Sequence, residues 1–122
     1  MSILIKLTID DRRVEAPAGS LVIEAAFGLG EVVVVAPDRQ QSATGTSVTL
    51  HHPLRVTEIG SPVARARAYS LDGTPADCVI LALGKLFQND IDLVVSGINQ
   101  GPNVGDDVLI SGTVAAALQG YL

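Results

Sequence analysis

The strongest constraint on the fold of this chain is an apolar run that stops abruptly. Asp92-Leu-Val-Val-Ser96 gives way to Gly97-Ile-Asn-Gln-Gly-Pro-Asn103, continuing through Gly105-Asp-Asp107. The chain resumes at Ser111-Gly-Thr113 and runs on as Val114-Ala-Ala-Ala-Leu118, which reads as a helix. A buried strand, a glycine-punctuated loop and a helix start, in that order, belong to an open α/β sheet. Ligands bind such sheets at the carboxyl ends of strands and at helix N-termini. A second run, Glu31-Val-Val-Val-Val-Ala36, closes at Pro37-Asp38 and reads as a strand buried on both faces.

The remaining segments extend this pattern. Ile3 to Ile9 is rich in β-branched residues and ends at Asp10-Asp11, a strand running into a turn. Ser20 to Leu29 reads as a short helix. Ser47 to Leu50, Leu54 to Glu58 and Arg67 to Leu71 read as shorter strands between Pro and Gly. Gly73-Thr-Pro-Ala-Asp77 is a helix start, with Thr74 as N-cap, Pro75 at the first helical position and the helix reaching about Phe87. A last helix covers roughly Gly112 to Gly120. Alternating strands and helices predict an α/β fold, a Rossmann-like three-layer and mostly parallel sheet, in a single domain over 1–122. Aromatics are only 3 % and Trp is absent, so the core must be built from Val, Leu, Ile and Ala.

Bulk properties exclude several function classes. A net charge of −5 offers no basic stripe for a nucleic-acid polymer, although a single nucleotide neutralised by a metal ion stays open. Cys78 is the only cysteine, which leaves no intramolecular disulfide and no cysteine cluster for zinc or iron–sulfur. It reads as a buried structural thiol. The N-terminus lacks the basic head and apolar segment of a signal peptide, and no run reaches transmembrane length. A cytoplasmic location without membrane attachment is the expectation.

Asp10, Asp11, Ser42 and Asn99 form an all-oxygen set of two carboxylates, a hydroxyl and an amide carbonyl. Hard divalent cations, Mg²⁺ or Mn²⁺ above all, suit such ligands. Alone, Asp10-Asp11 would read as a solvated turn and Ser42 as a loop hydrogen-bonder; only the combination points to a metal. Gly97, Gly101 and Gly105 let the backbone approach a ligand, and Asn103 can donate an amide N–H to a phosphate oxygen. Ser111 and Thr113 offer hydroxyls and helix N–H groups to an anion, a role compatible with ordinary N-capping. Asp106-Asp107 and His51-His52 read as solvated residues, and Arg39 fits either a phosphate contact or a surface ion pair.

The motifs Val35-Ala-Pro-Asp-Arg-Gln-Gln-Ser-Ala-Thr-Gly45, Gly73-Thr-Pro-Ala-Asp-Cys-Val79, Ser96-Gly-Ile-Asn-Gln-Gly-Pro-Asn103 and Ser111-Gly-Thr-Val114 resemble the SurE nucleotidase family. The resemblance runs from about Gly30 to Leu122. It implies a Rossmann-like core and a metal-dependent phosphatase acting on nucleoside monophosphates, active as a homo-oligomer. By motif position it implies Ser42 and Asn99 as metal ligands, with Asn103, Ser111 and Thr113 around the phosphate. Asp10 and Asp11 would complete the catalytic metal site. The first 29 residues fit the family less well, because Ile9 and Arg12 stand where it has Asn and Gly. Ile5 to Ser20 is instead similar to the opening β-hairpin of the ferredoxin-like domain in the G subunit of NADH-quinone oxidoreductase. In that alternative 1–29 is a recombined segment and Asp10-Asp11 a hairpin turn. The chain also stops where the family continues with further strands and an oligomerising arm, so a C-terminally truncated fold is expected. The rival to a nucleotidase is therefore a non-catalytic module that folds and at most binds metal or phosphate.

Overall fold

β-Branched residues at the N-terminus form an antiparallel ladder, β1 (Ile5–Ile9) with β2 (Arg12–Ala16). Its register runs from Ile5↔Ala16 to Ile9↔Arg12, a two-stranded sheet of its own. The computed structural model describes residues 5–9, 12–16, 31–41, 43–61, 66–88, 90–97, 99 and 101–122. Asp10, Asp11 and Ser42, and the helix expected over Ser20–Leu29, lie outside them. The chain divides into two units, Met1–Val34 with Gly60–Ala68, and Val35–Ile59 with Tyr69–Leu122.

A three-stranded sheet has the order β3-β5-β4, from β3 (Val33–Pro37), β4 (Val56–Ile59) and β5 (Arg67–Leu71). Arg67 N donates to Val32 O and Asp38 N to Leu71 O, so β3 and β5 run parallel. Asp72 N donates to Arg55 O, which joins the end of β5 to the start of β4 and makes that pair antiparallel. The fold is thus α/β with a mixed sheet, and β5 lies over the residues expected of it. The prediction that 31–36 is buried on both faces fails. β3 is only half-buried and Ala36 is exposed; among the described residues it is an edge strand, with β5 as its one strand neighbour. The central strand takes the burial instead, with Ala68 and Leu71 enclosed.

The expected strand over Ser47–Leu50 is irregular. The polar groups that would have joined a ladder are taken by a helix cap: Thr49 N donates to Asp77 Oδ1 (3.0 Å), and Ser47 O accepts from Thr74 Oγ1 (2.8 Å). That helix, α1 (Pro75–Leu81), starts as its sequence dictates. Thr74 is the N-cap, Pro75 occupies the first turn, and Thr74 and Asp77 form a reciprocal capping box. It continues as a π-helical turn over Ala82–Leu86 up to Phe87, whose ring meets Tyr69 edge-on at 5.9 Å.

Two further helices close the chain, the single turn α2 (Asp107–Ile110) and α3 (Gly112–Tyr121). α3 is the helix expected from Gly112, whereas α2 has no counterpart in the sequence reading. The core between α1 and α3 is made of small residues: Ala76 and Cys78 on one helix, Ala115 and Ala116 on the other, all buried. Burial pushes the Cys78 thiol up to about 12, with the Asp77 charge beside it adding to the shift, in agreement with a structural role.

The stretch 92–96, expected as a buried strand, carries no ladder pairing, and Leu93 and Val95 are about half exposed. Its burial still alternates: Val94 and Ser96 are the covered positions. Val94 lies against Gly120, where an added Cβ would come within 2.5 Å of the valine Cβ. Ser96 Oγ donates to Thr113 O (2.8 Å) at the other end of α3. The segment is covered on one face by a helix, and the described residues supply no strand beside it. Among them, no helix is long and apolar enough to cross a membrane.

Candidate functional site

The sequence places its small and amide-bearing residues just after 92–96, and the structure gathers them at the start of α3. A cleft of about 570 Å³ is lined by Asn99, Asn103, Ser111 and Thr113, four of the seven residues singled out from sequence. The other three, Asp10, Asp11 and Ser42, fall outside the described residues. Gln40, Gln41 and Ser96 also line the cleft, as does Asp107. Sequence reasoning had set Asp107 aside as solvated; it is exposed, yet it forms part of the wall. Ser96 could have been found from the alternation of 92–96, which turns it to the same side as Val94. The other residues weighed for chemistry lie elsewhere: His51 and His52 are exposed, and Arg39 sits 4.0 Å from Asp38 in a surface pair.

The backbone turns into the cleft at Gly97, whose φ of +136° is open to glycine and costly for other residues. That turn brings Asn99 toward Thr113. Asn99 Nδ2 donates to Gly101 O (2.8 Å) and to Asn103 Oδ1 (3.2 Å), which uses both amide hydrogens. The Asn99 carbonyl oxygen is thereby directed to Thr113, whose Oγ1 approaches it at 3.5 Å, a long and weak contact. An amide oxygen held this way is a hard neutral donor, the type a divalent cation takes from asparagine. Because Asn103 accepts through Oδ1, its own Nδ2 is left to donate, the polarity an anionic oxygen needs.

Ser111 performs the capping expected of it. Its Oγ accepts from Val114 N (3.3 Å), and its carbonyl accepts from Ala115 N (3.0 Å). The preceding helical N–H groups, on Gly112 and Thr113, come before the first intrahelical bond and stand at the positive end of the helix dipole. Gly112 is tightly enclosed: a Cβ there would lie 2.9 Å from both Pro75 Cγ and Thr44 Oγ1. The starts of α1 and α3 and the 43–46 turn therefore meet at one point. Among the described residues no Lys or Arg lines the cleft, and Asp107 is its one carboxylate. Among those residues no group of three or more His, Cys, Asp or Glu could hold a metal.

The family model for survival protein SurE matches residues 7–122, reaching further toward the N-terminus than the motifs that begin near Gly30. A 5'-nucleotidase SurE from Dehalococcoides mccartyi is 55 % identical over 116 residues, covering 95 % of this chain and 44 % of that protein. A 5'-nucleotidase SurE from Geotalea daltonii is 51 % identical over 118 residues, covering 97 % of this chain and 45 % of the relative. The crystal structure of SurE protein from Aquifex aeolicus superposes with a TM-score of 0.67 at 45 % identity, over 81 % of this chain and 39 % of that one. The chain thus spans less than half the length of the relatives it matches. It belongs to the survival protein SurE family.

Proposed function

We propose that this chain carries a phosphomonoesterase site for nucleoside monophosphates, a 5'-nucleotidase activity dependent on a divalent cation, Mg²⁺ or Mn²⁺. The observation that carries the reading is the cleft at the start of α3, where Asn99, Asn103, Ser111 and Thr113 converge. Relatives named 5'-nucleotidase SurE support the reaction class. Asp10, Asp11, Ser42 and Asn99 would hold the cation, with Asp10 and Asp11 as its charged ligands. A cation bound there would polarise a phosphoryl oxygen and lower the pKa of a bound water. The remaining groups bind and orient. The Gly112 and Thr113 N–H groups, the Thr113 hydroxyl and Asn103 Nδ2 face the phosphate and favour the charge it gains in the transition state. Among the described residues the cleft offers neutral donors and one carboxylate, Asp107, so an anion there requires a positive partner, which supports the cation requirement. A single domain, a cytoplasmic location and a homo-oligomeric state complete the proposal.

The test is phosphate release from nucleoside monophosphates with Mg²⁺ or Mn²⁺, comparing the wild-type chain with Asp11→Asn and Asn99→Ala. Both substitutions should lower kcat/KM by at least about tenfold, the equivalent of one lost charge-assisted contact. Equal rates for all three proteins sink the site. A second reading, a module that binds metal or phosphate without turnover, draws on the β1–β2 ladder: Asp10 and Asp11 lie in sequence between the paired Ile9 and Arg12. Calorimetric titration with Mn²⁺ and a nucleotide separates the two, since binding without phosphate release selects the module.

A further inference from the structure

We propose that Asp77 is a positioning residue: through Thr49 it pins the Ala43–Leu50 loop onto the α2–α3 junction and so fixes one wall of the phosphate cleft. The inference rests on the reading above for what the cleft binds, while the pinning itself stands on hydrogen bonds. Asp77 is 1 % exposed and forms no ion pair among the described residues. Burying a carboxylate is costly unless its oxygens are fully hydrogen-bonded. Its Oδ2 accepts from Thr74 N (2.8 Å), which completes the capping box, and also from Thr49 Oγ1 (2.6 Å). Its Oδ1 accepts from Thr49 N (3.0 Å). A capping box needs only the first of these. The two bonds to Thr49, 28 residues away in sequence, serve the loop rather than the helix.

From Thr49 the restraint runs toward the cleft. Thr74 Oγ1 donates to Ser47 O (2.8 Å), and Ser47 N donates to Thr44 O (3.1 Å), which closes the turn. Gly45 N then donates to Ile110 O (2.8 Å), at the last residue of α2. Gly45 is buried with φ +52°, and a Cβ on it would stand 2.9 Å from Leu109 O, so the turn touches α2 backbone to backbone. Thr44 meets Gly112, the first residue of α3, and Ala43 with Gln40 and Gln41 lines the cleft. The loop is therefore held at one end by the α1 cap and at the other by the residues that frame the phosphate site. With no strand ladder over 47–50, the α1 cap is what fixes its distal end.

The test uses the full chain and three variants: Thr49→Val, which removes the Oγ1 donor at nearly constant volume, Thr49→Ser, which keeps it, and Asp77→Asn. Amide exchange at Gly45 reads the loop, exchange at Ala115 and Ala116 reads the helix core, and titration of inorganic phosphate with Mn²⁺ reads the cleft. Thr49→Val should raise Gly45 exchange by about tenfold and weaken phosphate binding by about 3- to 10-fold, the loss of one hydrogen bond. Ala115 and Ala116 should keep their protection, and Thr49→Ser should restore both readouts to within about twofold. In the Asp77→Asn background, Thr49→Val should add little. Unchanged Gly45 exchange overturns the proposal, as does loosening that spreads equally to Ala115. Gly45 loosening with unaltered phosphate affinity overturns it too. If the wild-type chain binds no phosphate, the functional reading fails and Gly45 exchange decides the pinning alone.

Discussion

Ser111 both caps α3 and lines the cleft, and two substitutions separate these roles. Ser111→Ala deletes the Oγ that accepts from Val114 N at 3.3 Å. N-cap losses run from about 0.5 to 2 kcal/mol, and the long bond puts this one in the lower half, about 0.5–1 kcal/mol. Ser111→Asp restores an N-cap acceptor of equal rank, and its charge gains about 0.3–1 kcal/mol from the helix dipole. That gain is set against fitting a larger side chain at a position only 8 % exposed. The aspartate variant should therefore unfold in urea within about 1 kcal/mol of wild type. Its carboxylate, however, lies where a phosphate would meet the Gly112 and Thr113 N–H groups. Two charges about 4 Å apart at an effective dielectric of 20 repel by about 4 kcal/mol. Discounted threefold for the open cleft, the repulsion still amounts to about a tenfold loss of phosphate affinity. Urea unfolding and phosphate titration with Mn²⁺ are run on the same samples. An aspartate variant that binds phosphate as tightly as wild type refutes the anion site at α3. An alanine variant of undiminished stability refutes the cap.

Three further outcomes follow from the packing and the buried groups. Gly120→Ala gains about 0.8–1 kcal/mol of helix propensity, but it drives a Cβ to 2.5 Å from Val94 Cβ, and overpacking costs about 1–3 kcal/mol. The variant should unfold at lower urea than wild type, and a higher midpoint would show that 92–96 is not pressed against α3. For Asp77, desolvation by burial raises the pKa, but the hydrogen bonds from Thr49 and Thr74 outweigh it and leave the carboxyl below its ordinary 3.8. Its contribution to stability is complete above pH 3.8 and is lost as pH falls through the depressed native value, so Asp77→Asn should flatten the acid limb of a urea-midpoint profile. Cys78, with its pKa pushed up to about 12, should react with a thiol reagent at neutral pH only as fast as the chain opens; labelling at the rate of a free thiol would contradict its burial.

The parts legible in the sequence are those fixed by local chemistry. Thr74, Pro75 and Asp77 name the start of α1 through a capping box, and Ser111 names the start of α3, because each cap is satisfied within four residues. Arg67 to Leu71 was legible because its short, roughly alternating run between turn residues suits a strand, which the structure places at the centre of the three-stranded sheet. The failures share one physical cause. Ser47–Leu50 looks like a strand, yet its polar groups find partners on α1 in place of a ladder, and no local pattern announces a bond 28 residues away. The runs 31–36 and 92–96 are apolar enough for full burial, but burial depends on which neighbours cover them. Nothing in a valine run states how many of its sides are covered.

The same distinction bears on the candidate site. Residue types alone make Asn99 and Asn103 equivalent amides, each with one donor group and one acceptor group. The bonds from Asn99 Nδ2 to Gly101 O and Asn103 Oδ1 break that equivalence. Asn99 is left presenting oxygen and Asn103 nitrogen, so the first suits a cation and the second an anion. Reversing either amide would place two like groups against each other and forfeit the 3.2 Å bond between them. The cleft, without Lys or Arg among the described residues, then draws a defined polarity from these two amides, with the N–H end of α3 beside the Asn103 nitrogen. Its weakness as a binding site for a free anion follows from the same fact. Neutral N–H and O–H groups bond an anion without neutralising its charge, so affinity should depend on a cation held at the Asn99 oxygen. Phosphate and Mn²⁺ should accordingly bind with positive coupling, each tightening the other by the same factor, and Asn99→Ala should abolish that coupling before it abolishes either binding event.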